Sequence, residues 1–217
     1  MKDICCIGHL TRDKIITPES TVYMAGGTSF YFAHAQNHLP QGKVDFQLVT
    51  KVGEESMAEI EKMRQEGIDV QGYLREVRGE SVHACQWKEK EQVLAMTDIL
   101  KLNEYEMQVI TDSSDPRTVA TKLAQMGVRE VVLTFGDYGS LICADGQFYE
   151  IPAYKPQHLV DATGCGDTYS AGYLYCRAQG ESPLESGKFA AAMCTLKLEQ
   201  HGPFSRSIDE IRYIMTR

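Results

Sequence analysis

Hydrophobic positions follow two alternating spacings along the chain, which predicts strands separated by helices. Short apolar runs that predict buried strands lie at residues 4–7, 46–52, 68–73, 99–102 and 131–134. Segments with apolar residues at helical spacing lie at residues 29–39, 57–65, 116–127, 165–180, 183–198 and 208–215. This order is typical of an α/β sandwich with a mostly parallel sheet.

Turn and cap residues separate these segments. Asp145-Gly146 predicts a tight hairpin between strands at residues 140–143 and 147–151. Ser182-Pro183-Leu184-Glu185 predicts a capping box that opens a helix with proline at its first position. Residues 9–24 are polar and turn-rich and predict no regular element, and residues 87–92 predict a charged, solvated stretch.

Composition and charge narrow the function. The chain has 217 residues, 43% of them hydrophobic, which is enough for one domain with a sizeable core. Its net charge of −8 argues against a nucleic-acid partner or an anionic membrane surface. No apolar run approaches the roughly 20 residues that cross a bilayer, and the N-terminal residues predict a strand, so we expect a cytoplasmic protein.

The glycine-rich segment at residues 161–172 carries the clearest chemistry. Gly164 and Gly166 let the backbone turn tightly and approach a ligand, and they lie at the start of a predicted helix whose N-terminal N–H groups favour an anion. Asp167 falls in the first turn of that helix, where it could accept a hydroxyl proton. These features predict a phosphate-binding loop with a catalytic carboxylate.

This segment, Asp161-Ala162-Thr163-Gly164-Cys165-Gly166-Asp167, resembles the second signature, D-T-x-G-A-G-D, of the ribokinase-like (pfkB) carbohydrate kinases. The resemblance implies that Asp167 is the catalytic base and that the backbone of Gly164, Cys165 and Gly166 forms an anion hole. Other phosphate loops match poorly, since the chain has no G-x-x-x-x-G-K-[ST] motif. A dinucleotide fingerprint fails at its third glycine, where Tyr169 stands.

Two further matches concern the acceptor and the metal. Asp13 resembles the family aspartate that binds substrate hydroxyls, and Gly26-Gly27 resembles the paired glycines that close over the sugar. Asn103 and Glu106 fit the N-x-x-E motif, which implies that Glu106 holds Mg²⁺ through water. Each match taken alone is more often a turn residue or a helix start.

The remaining matches concern the nucleotide and a monovalent cation. Thr134, Gly136 and Gly139 resemble the T-x-G-x-x-G loop that contacts nucleotide phosphate and ribose. His201-Gly202 falls where the family closes its adenine pocket. The resemblance further implies potassium near Asp161 and Thr163, held mostly by backbone oxygens.

The resemblance therefore implies a ribokinase-like three-layer α/β/α sandwich that uses ATP and Mg²⁺ to phosphorylate a small sugar or polyol. The C-terminal half is most similar to a bacterial branch associated with inositol-type polyols. Lid strands of the family often mediate dimers, which makes a homodimer one expectation. Residues 1–69 would form the substrate side of a single domain, and residues 70–217 the nucleotide-binding and catalytic side.

The chain departs from the family near Asp69-Val70, where a block that would supply much of the lid and part of the sheet is missing. A lid excludes water and completes the acceptor site. Two functions therefore stay open: an active carbohydrate kinase with a reduced lid, and a non-catalytic nucleotide-binding or regulatory relative. The acceptor and the hydroxyl that it offers are also open.

Overall fold

The computed structural model describes residues 3–16, 20–40, 44–52, 56–74 and 89–217. The strands are β1 Ile4–His9, β2 Thr11–Ile16, β3 Thr21–Gly26, β4 Phe46–Val52, β5 Val70–Leu74, β6 Ile99–Asn103, β7 Glu130–Thr134, β8 Ser140–Ala144 and β9 Gln147–Ile151. The helices are α1 Thr28–His38, α2 Met57–Gln65, α3 Lys90–Leu94, α4 Glu104–Thr111, α5 Pro116–Gln125, α6 Cys165–Ala178, α7 Pro183–Leu198 and α8 Ile208–Met215. The predicted α/β class is confirmed.

The central layer consists of two sheets in the part of the chain described. Strands β1, β4 and β5 run parallel, with Ile4 opposite Phe46 and Leu48 opposite Val70. Strands β6 and β7 are also parallel, and β8 and β9 extend that sheet in antiparallel pairs. Among the described strands, β1 and β6 each pair on one side only.

Helices cover the second sheet on both faces because its strands are apolar on both sides. Leu123 of α5 packs with Val131 of β7 in one buried cluster. On the opposite face, Val132 packs with Tyr169 of α6 and Ala190 of α7. This part of the molecule is therefore a three-layer sandwich, as the family resemblance implies.

Helix α6 is the centre of the fold, because it lies against both α1 and α7. Ala171 of α6 and Phe189 of α7 share the largest buried cluster with Phe30 of α1 and Leu48 of β4. Gln36 of α1 donates a buried hydrogen bond of 2.8 Å to the carbonyl of Ala171. Both halves of the chain thus fix the direction of α6.

The predicted absence of regular structure at residues 9–24 was wrong. Strands β2 and β3 form an antiparallel hairpin there, with Thr11 opposite Gly26 and Asp13 opposite Met24. Most of the described hairpin side chains are exposed or half-buried, and Tyr23 is 58% exposed. The apolar alternation that marks a half-buried strand is therefore absent from its sequence.

Helix starts agree with the predicted cap residues with one difference. Ser182 accepts a hydrogen bond of 3.2 Å from the N–H of Glu185, as predicted. Glu185 does not complete the predicted capping box, because its carboxylate pairs with Lys188 at 2.8 Å.

The predicted solvated stretch at 87–92 lies partly outside the described residues, and α3 occupies Lys90–Leu94. No described helix combines the length and apolar character that crossing a bilayer requires.

Gly172 allows α6 to approach α7 closely, which gives a test of this packing. A Cβ at Gly172 would lie 2.6 Å from the Met193 sulfur and 3.2 Å from the Ala190 Cα. Alanine normally stabilises a helix interior by about 1 kcal/mol over glycine, whereas overpacking a core costs about 1–3 kcal/mol. We expect Gly172→Ala to lower the free energy of unfolding by about 1 kcal/mol and the melting temperature by about 2–4 °C. An unchanged or higher melting temperature would contradict this packing.

Candidate functional site

The N-terminus of α6 forms a tight glycine turn, where the sequence predicts anion binding. Gly164 is the N-cap, with φ +78°, and a Cβ there would lie 2.2 Å from the Tyr31 ring. Only glycine fits this left-handed, crowded position. The Cys165 N–H donates to the carbonyl of Ala162 at 3.2 Å, while the N–H groups of Gly164 and Gly166 reach no backbone carbonyl in the described part. Of the expected anion hole, Gly164 and Gly166 therefore keep open donors and Cys165 does not.

Asp167 lies in the first turn of α6 and is half-buried. Burial raises the pKa of its carboxyl group above the ordinary value. A hydrogen bond with the Thr28 hydroxyl and the nearby charges of Lys101 and His9 offset part of that rise. Asp167 is thus a desolvated carboxylate beside positive charge, an arrangement suited to accepting a proton.

Lys101 is a residue of this site that the sequence motifs did not identify. It lies on β6, and its ammonium is 2.8 Å from the position of a Cβ on Gly166. A cation beside the positive end of a helix is unfavourable unless an anion also binds there. One signal in the sequence was available, since Lys101 interrupts an apolar strand two residues before Asn103.

A cavity of about 310 Å³ brings the chemical groups together. It is lined by Ile99, Lys101, Glu106, Val132, Asp167, Tyr169, Ser170, Tyr173 and Leu174. Asn103 and Glu106 form a capping box, in which one Glu106 oxygen accepts the Asn103 N–H at 2.8 Å. The second oxygen of this carboxylate stays available to a ligand.

The residues expected to contact the nucleotide follow neighbouring strand ends. Thr134 is paired in register with Asn103, so the two motifs meet at the carboxyl edge of β6 and β7. The Thr134 hydroxyl donates to the Leu102 carbonyl at 3.3 Å. Gly136 and Gly139 both have positive φ in the turn that follows. His201 is exposed, and Gly202 is buried, with the Met24 methyl 3.7 Å from the position of its missing Cβ.

The expected acceptor residues lie together at the base of the β2–β3 hairpin. The Asp13 carboxylate lies 1.9 Å from the position of a Cβ on Gly26, and it accepts a hydrogen bond of 2.6 Å from the Thr11 hydroxyl. Gly27 has φ +85°, and a Cβ there would lie 2.6 Å from the His9 carbonyl oxygen. Any side chain at Gly26 or Gly27 would displace this carboxylate or the backbone.

Tyr31 connects the acceptor residues with the catalytic loop. Burial raises its pKa to about 12, with further contributions from the negative charges of Asp161, Asp13 and Asp167. Carboxylates from two separate segments, one at Asp13 and one at residues 161–167, therefore act on one buried ring. The Tyr31 hydroxyl has no hydrogen-bond partner among the described residues. The sequence motifs did not identify Tyr31 as a residue of the site.

Asp161 and Thr163, the residues expected near a monovalent cation, fold back on each other. The Thr163 N–H donates to the Asp161 carboxylate at 2.9 Å. The same carboxylate lies 3.5 Å from the ammonium of Lys197. This loop therefore already contains one positive charge.

The carboxylates of the cavity fit the magnesium site that the resemblance implies. Mg²⁺ in phosphotransferases is usually bound by one or two carboxylates, waters and the substrate phosphates. Glu106 and Asp167 supply such a set in one cavity. In the described part of the chain, no group of three or more His, Cys, Asp or Glu side chains is arranged to hold a metal ion.

Comparison with known proteins relates this site to one family. The pfkB family of carbohydrate kinases matches residues 47–210. A cytidine kinase from Thermococcus kodakarensis is 38% identical over 96 residues, which cover 43% of this chain and 34% of the relative. The matches to the first curated relatives extend over less than half of each relative's length.

Solved structures show the same fold. A pyrophosphate-dependent myo-inositol-1 kinase that was converted into a myo-inositol-3 kinase superimposes with a TM-score of 0.81 at 20% identity, covering 98% of both chains. The ribokinase of Arabidopsis thaliana, solved with ribose and ATP, gives a TM-score of 0.78 at 15% identity, covering 99% of this chain and 98% of the ribokinase. By fold and by sequence over most of its length, the chain belongs to the pfkB family of carbohydrate kinases.

Proposed function

We propose that the chain transfers a phosphoryl group from ATP to a hydroxyl of a small sugar or polyol. One observation carries the proposal: the Asp167 carboxylate, the Lys101 ammonium and the Glu106 carboxylate line a single cavity at the N-terminus of α6. Phosphoryl transfer requires mainly positioning and charge neutralisation. A base, a cation and free backbone donors in one place supply these requirements.

Each group has a distinct role in the proposed reaction. Asp167 accepts the proton of the acceptor hydroxyl as that oxygen bonds to the terminal phosphorus of ATP, while the bond from this phosphorus to the bridging oxygen breaks and ADP leaves. Lys101 and the N–H groups of Gly164 and Gly166 stabilise the negative charge of the transferring group. Glu106 would hold Mg²⁺ through water, and the ion neutralises phosphate charge when bound.

The rest of the proposed site divides between the two halves of the chain. Residues 1–69 contribute the acceptor side, with Asp13, Gly26 and Gly27, and residues 70–217 contribute the catalytic loop. The nucleotide would lie along residues Thr134, Gly136, Gly139, His201 and Gly202. Similarity to a cytidine kinase and to a myo-inositol kinase makes nucleosides and inositols the first acceptors to test. A cytoplasmic location and a homodimer stay predictions.

A non-catalytic nucleotide-binding relative is the alternative function. The edges of β1 and β6 favour it, because among the described strands each of the two pairs on one side only. Ile7 of β1 is also 79% exposed, which leaves part of a sheet face in solvent. ATP binding without acceptor-dependent turnover would support this alternative.

The first test removes the proposed base. We expect Asp167→Asn to lower acceptor-dependent ADP release from Mg-ATP by about 10²- to 10⁴-fold, the usual contribution of a general base. The assay covers sugars, nucleosides and inositols, with pyrophosphate as a second donor whose cleavage is followed by phosphate release. Asp209→Asn is the matched control, because Asp209 is exposed in the first turn of α8. Equal turnover by the parent and Asp167→Asn would exclude Asp167 as the base.

The second test removes the cation of the cavity. Lys101→Met keeps the length of the side chain and loses its charge, so transition-state stabilisation should fall more than substrate binding. We expect kcat to fall about 10²- to 10³-fold, as when one charge-stabilising donor is removed. Lys122→Met, an exposed change on α5, should leave kcat unaltered. A purely structural Lys101 would instead lower the melting temperature and leave kcat of the folded protein unchanged.

The third test concerns the cost of keeping Asp167 ionised. Because the folded-state pKa is raised, the folded protein binds this proton more tightly than the unfolded chain does. Stability is therefore lost as the pH rises from the unfolded pKa through the folded pKa. Asp167→Asn should melt at a higher temperature than the parent near pH 8. The difference should shrink as the pH falls towards 3.8, the ordinary value; a difference that does not change with pH would contradict this.

A further inference from the structure

Lys197 has a fully buried ammonium next to the catalytic loop. It lies in the last turn of α7, and its side chain is 0% exposed. Its Nζ lies 3.1 Å from the Asp161 carbonyl oxygen, 3.3 Å from the Gln200 carbonyl oxygen and 3.5 Å from an Asp161 carboxylate oxygen. Two backbone carbonyl oxygens and one carboxylate oxygen therefore surround this positive charge.

These oxygens belong to the loop where the family resemblance implies potassium. A monovalent cation near Asp161 and Thr163 would have to share the Asp161 oxygens with the Lys197 ammonium. Two positive charges in contact repel each other strongly in a buried, weakly polar environment. The second Asp161 carboxylate oxygen is also engaged, because it accepts the Thr163 N–H at 2.9 Å. The other carboxylate oxygen has no hydrogen-bond partner among the described residues, but it faces the Lys197 ammonium at 3.5 Å, so a potassium ion bound to it would lie against that positive charge.

The charge of Asp161 agrees with this arrangement. Burial raises its pKa, but hydrogen bonds from Thr163 and the charge of Lys197 outweigh that effect and hold the pKa below its ordinary value. Asp161 is thus ionised at neutral pH, and Lys197 is its neutralising partner. Buried lysine side chains are rare unless they are paired in this way.

The same loop is also attached to α7 through its backbone. The N–H groups of Val160 and Asp161 donate to the Leu198 carbonyl, at 2.7 and 3.3 Å. Three residues further on, Gly164 caps α6 and begins the anion-binding turn. The Lys197 ammonium at the end of α7 therefore holds the loop at Asp161 in position. This loop leads directly into the turn at Gly164.

We propose that the Lys197 ammonium takes the place of a bound monovalent cation, so that the catalytic loop of this chain is held in position without potassium. Lys197 acts as a positioning residue, because it contacts the loop and not the reacting atoms. The part of the inference that concerns turnover rests on the proposed function. The part that concerns ion binding and stability does not.

The experiment compares potassium chloride with tetramethylammonium chloride at equal ionic strength. The melting temperature and turnover of the parent should be the same in both salts. In Lys197→Ala, the buried Asp161 charge loses its partner and a space opens beside it. Potassium should then raise the melting temperature in a saturable way. Where the parent turns over, potassium should also restore an activity that falls about 10- to 100-fold in tetramethylammonium.

Lys188→Ala is the matched control, because Lys188 lies on the same helix but pairs at the surface with Glu185. It should show no potassium response. A Lys197→Ala protein that folds but does not respond to potassium would overturn the proposal. If Lys197→Ala does not fold, the proposal is tested by measuring whether thallium(I), a potassium analogue, binds to the parent protein. Binding of one thallium(I) ion per chain would overturn the proposal. A saturable effect of potassium on the melting temperature or turnover of the parent would also overturn it. Absence of thallium(I) binding would support it. These readouts stand even if the parent shows no turnover.

Discussion

The position of α6 is the constraint on which the rest of the molecule depends. Its N-terminus holds Gly164, Gly166 and Asp167 of the proposed site, so any shift of the helix would move the Asp167 carboxylate relative to the groups on β6. Buried contacts with α1 and α7 fix its direction, and the fit of Gly164 against Tyr31 fixes its start. The geometry of the proposed site thus depends on core packing. Because the protein interior is as densely packed as a crystal, a displacement in the core would also displace the site.

Much of this arrangement could be predicted from the sequence. The order of strands and helices followed from periodicity, because most elements bury one face or both. The glycine turn was predictable because two glycines at the start of a predicted helix allow a tight turn and free backbone N–H groups. The β2–β3 hairpin was not predictable by the same means, since its exposed strands have no apolar alternation.

The direction of two lysine side chains could not be predicted from the sequence. Lys101 and Lys197 lie in apolar segments, and nothing in their neighbours shows whether such a lysine extends to solvent or inward. The structure places both inward, one beside the anion-binding turn and one against Asp161. The role of the Cys165 N–H was equally hidden, because a hydrogen bond to Ala162 depends on the path of the turn. Contacts between residues that are distant in sequence can be identified only when the fold is known.

The largest buried cluster has a consequence for how the chain folds during synthesis. Its members come from both ends of the sequence, with Leu48 and Phe30 from the first quarter packing against Ala171 and Phe189. The first strands and α1 therefore leave the ribosome long before the helices that cover them. Contacts of such high sequence separation slow folding and leave apolar surface uncovered in the meantime. Nascent chains of this protein should accordingly depend on chaperones until α6 and α7 have emerged.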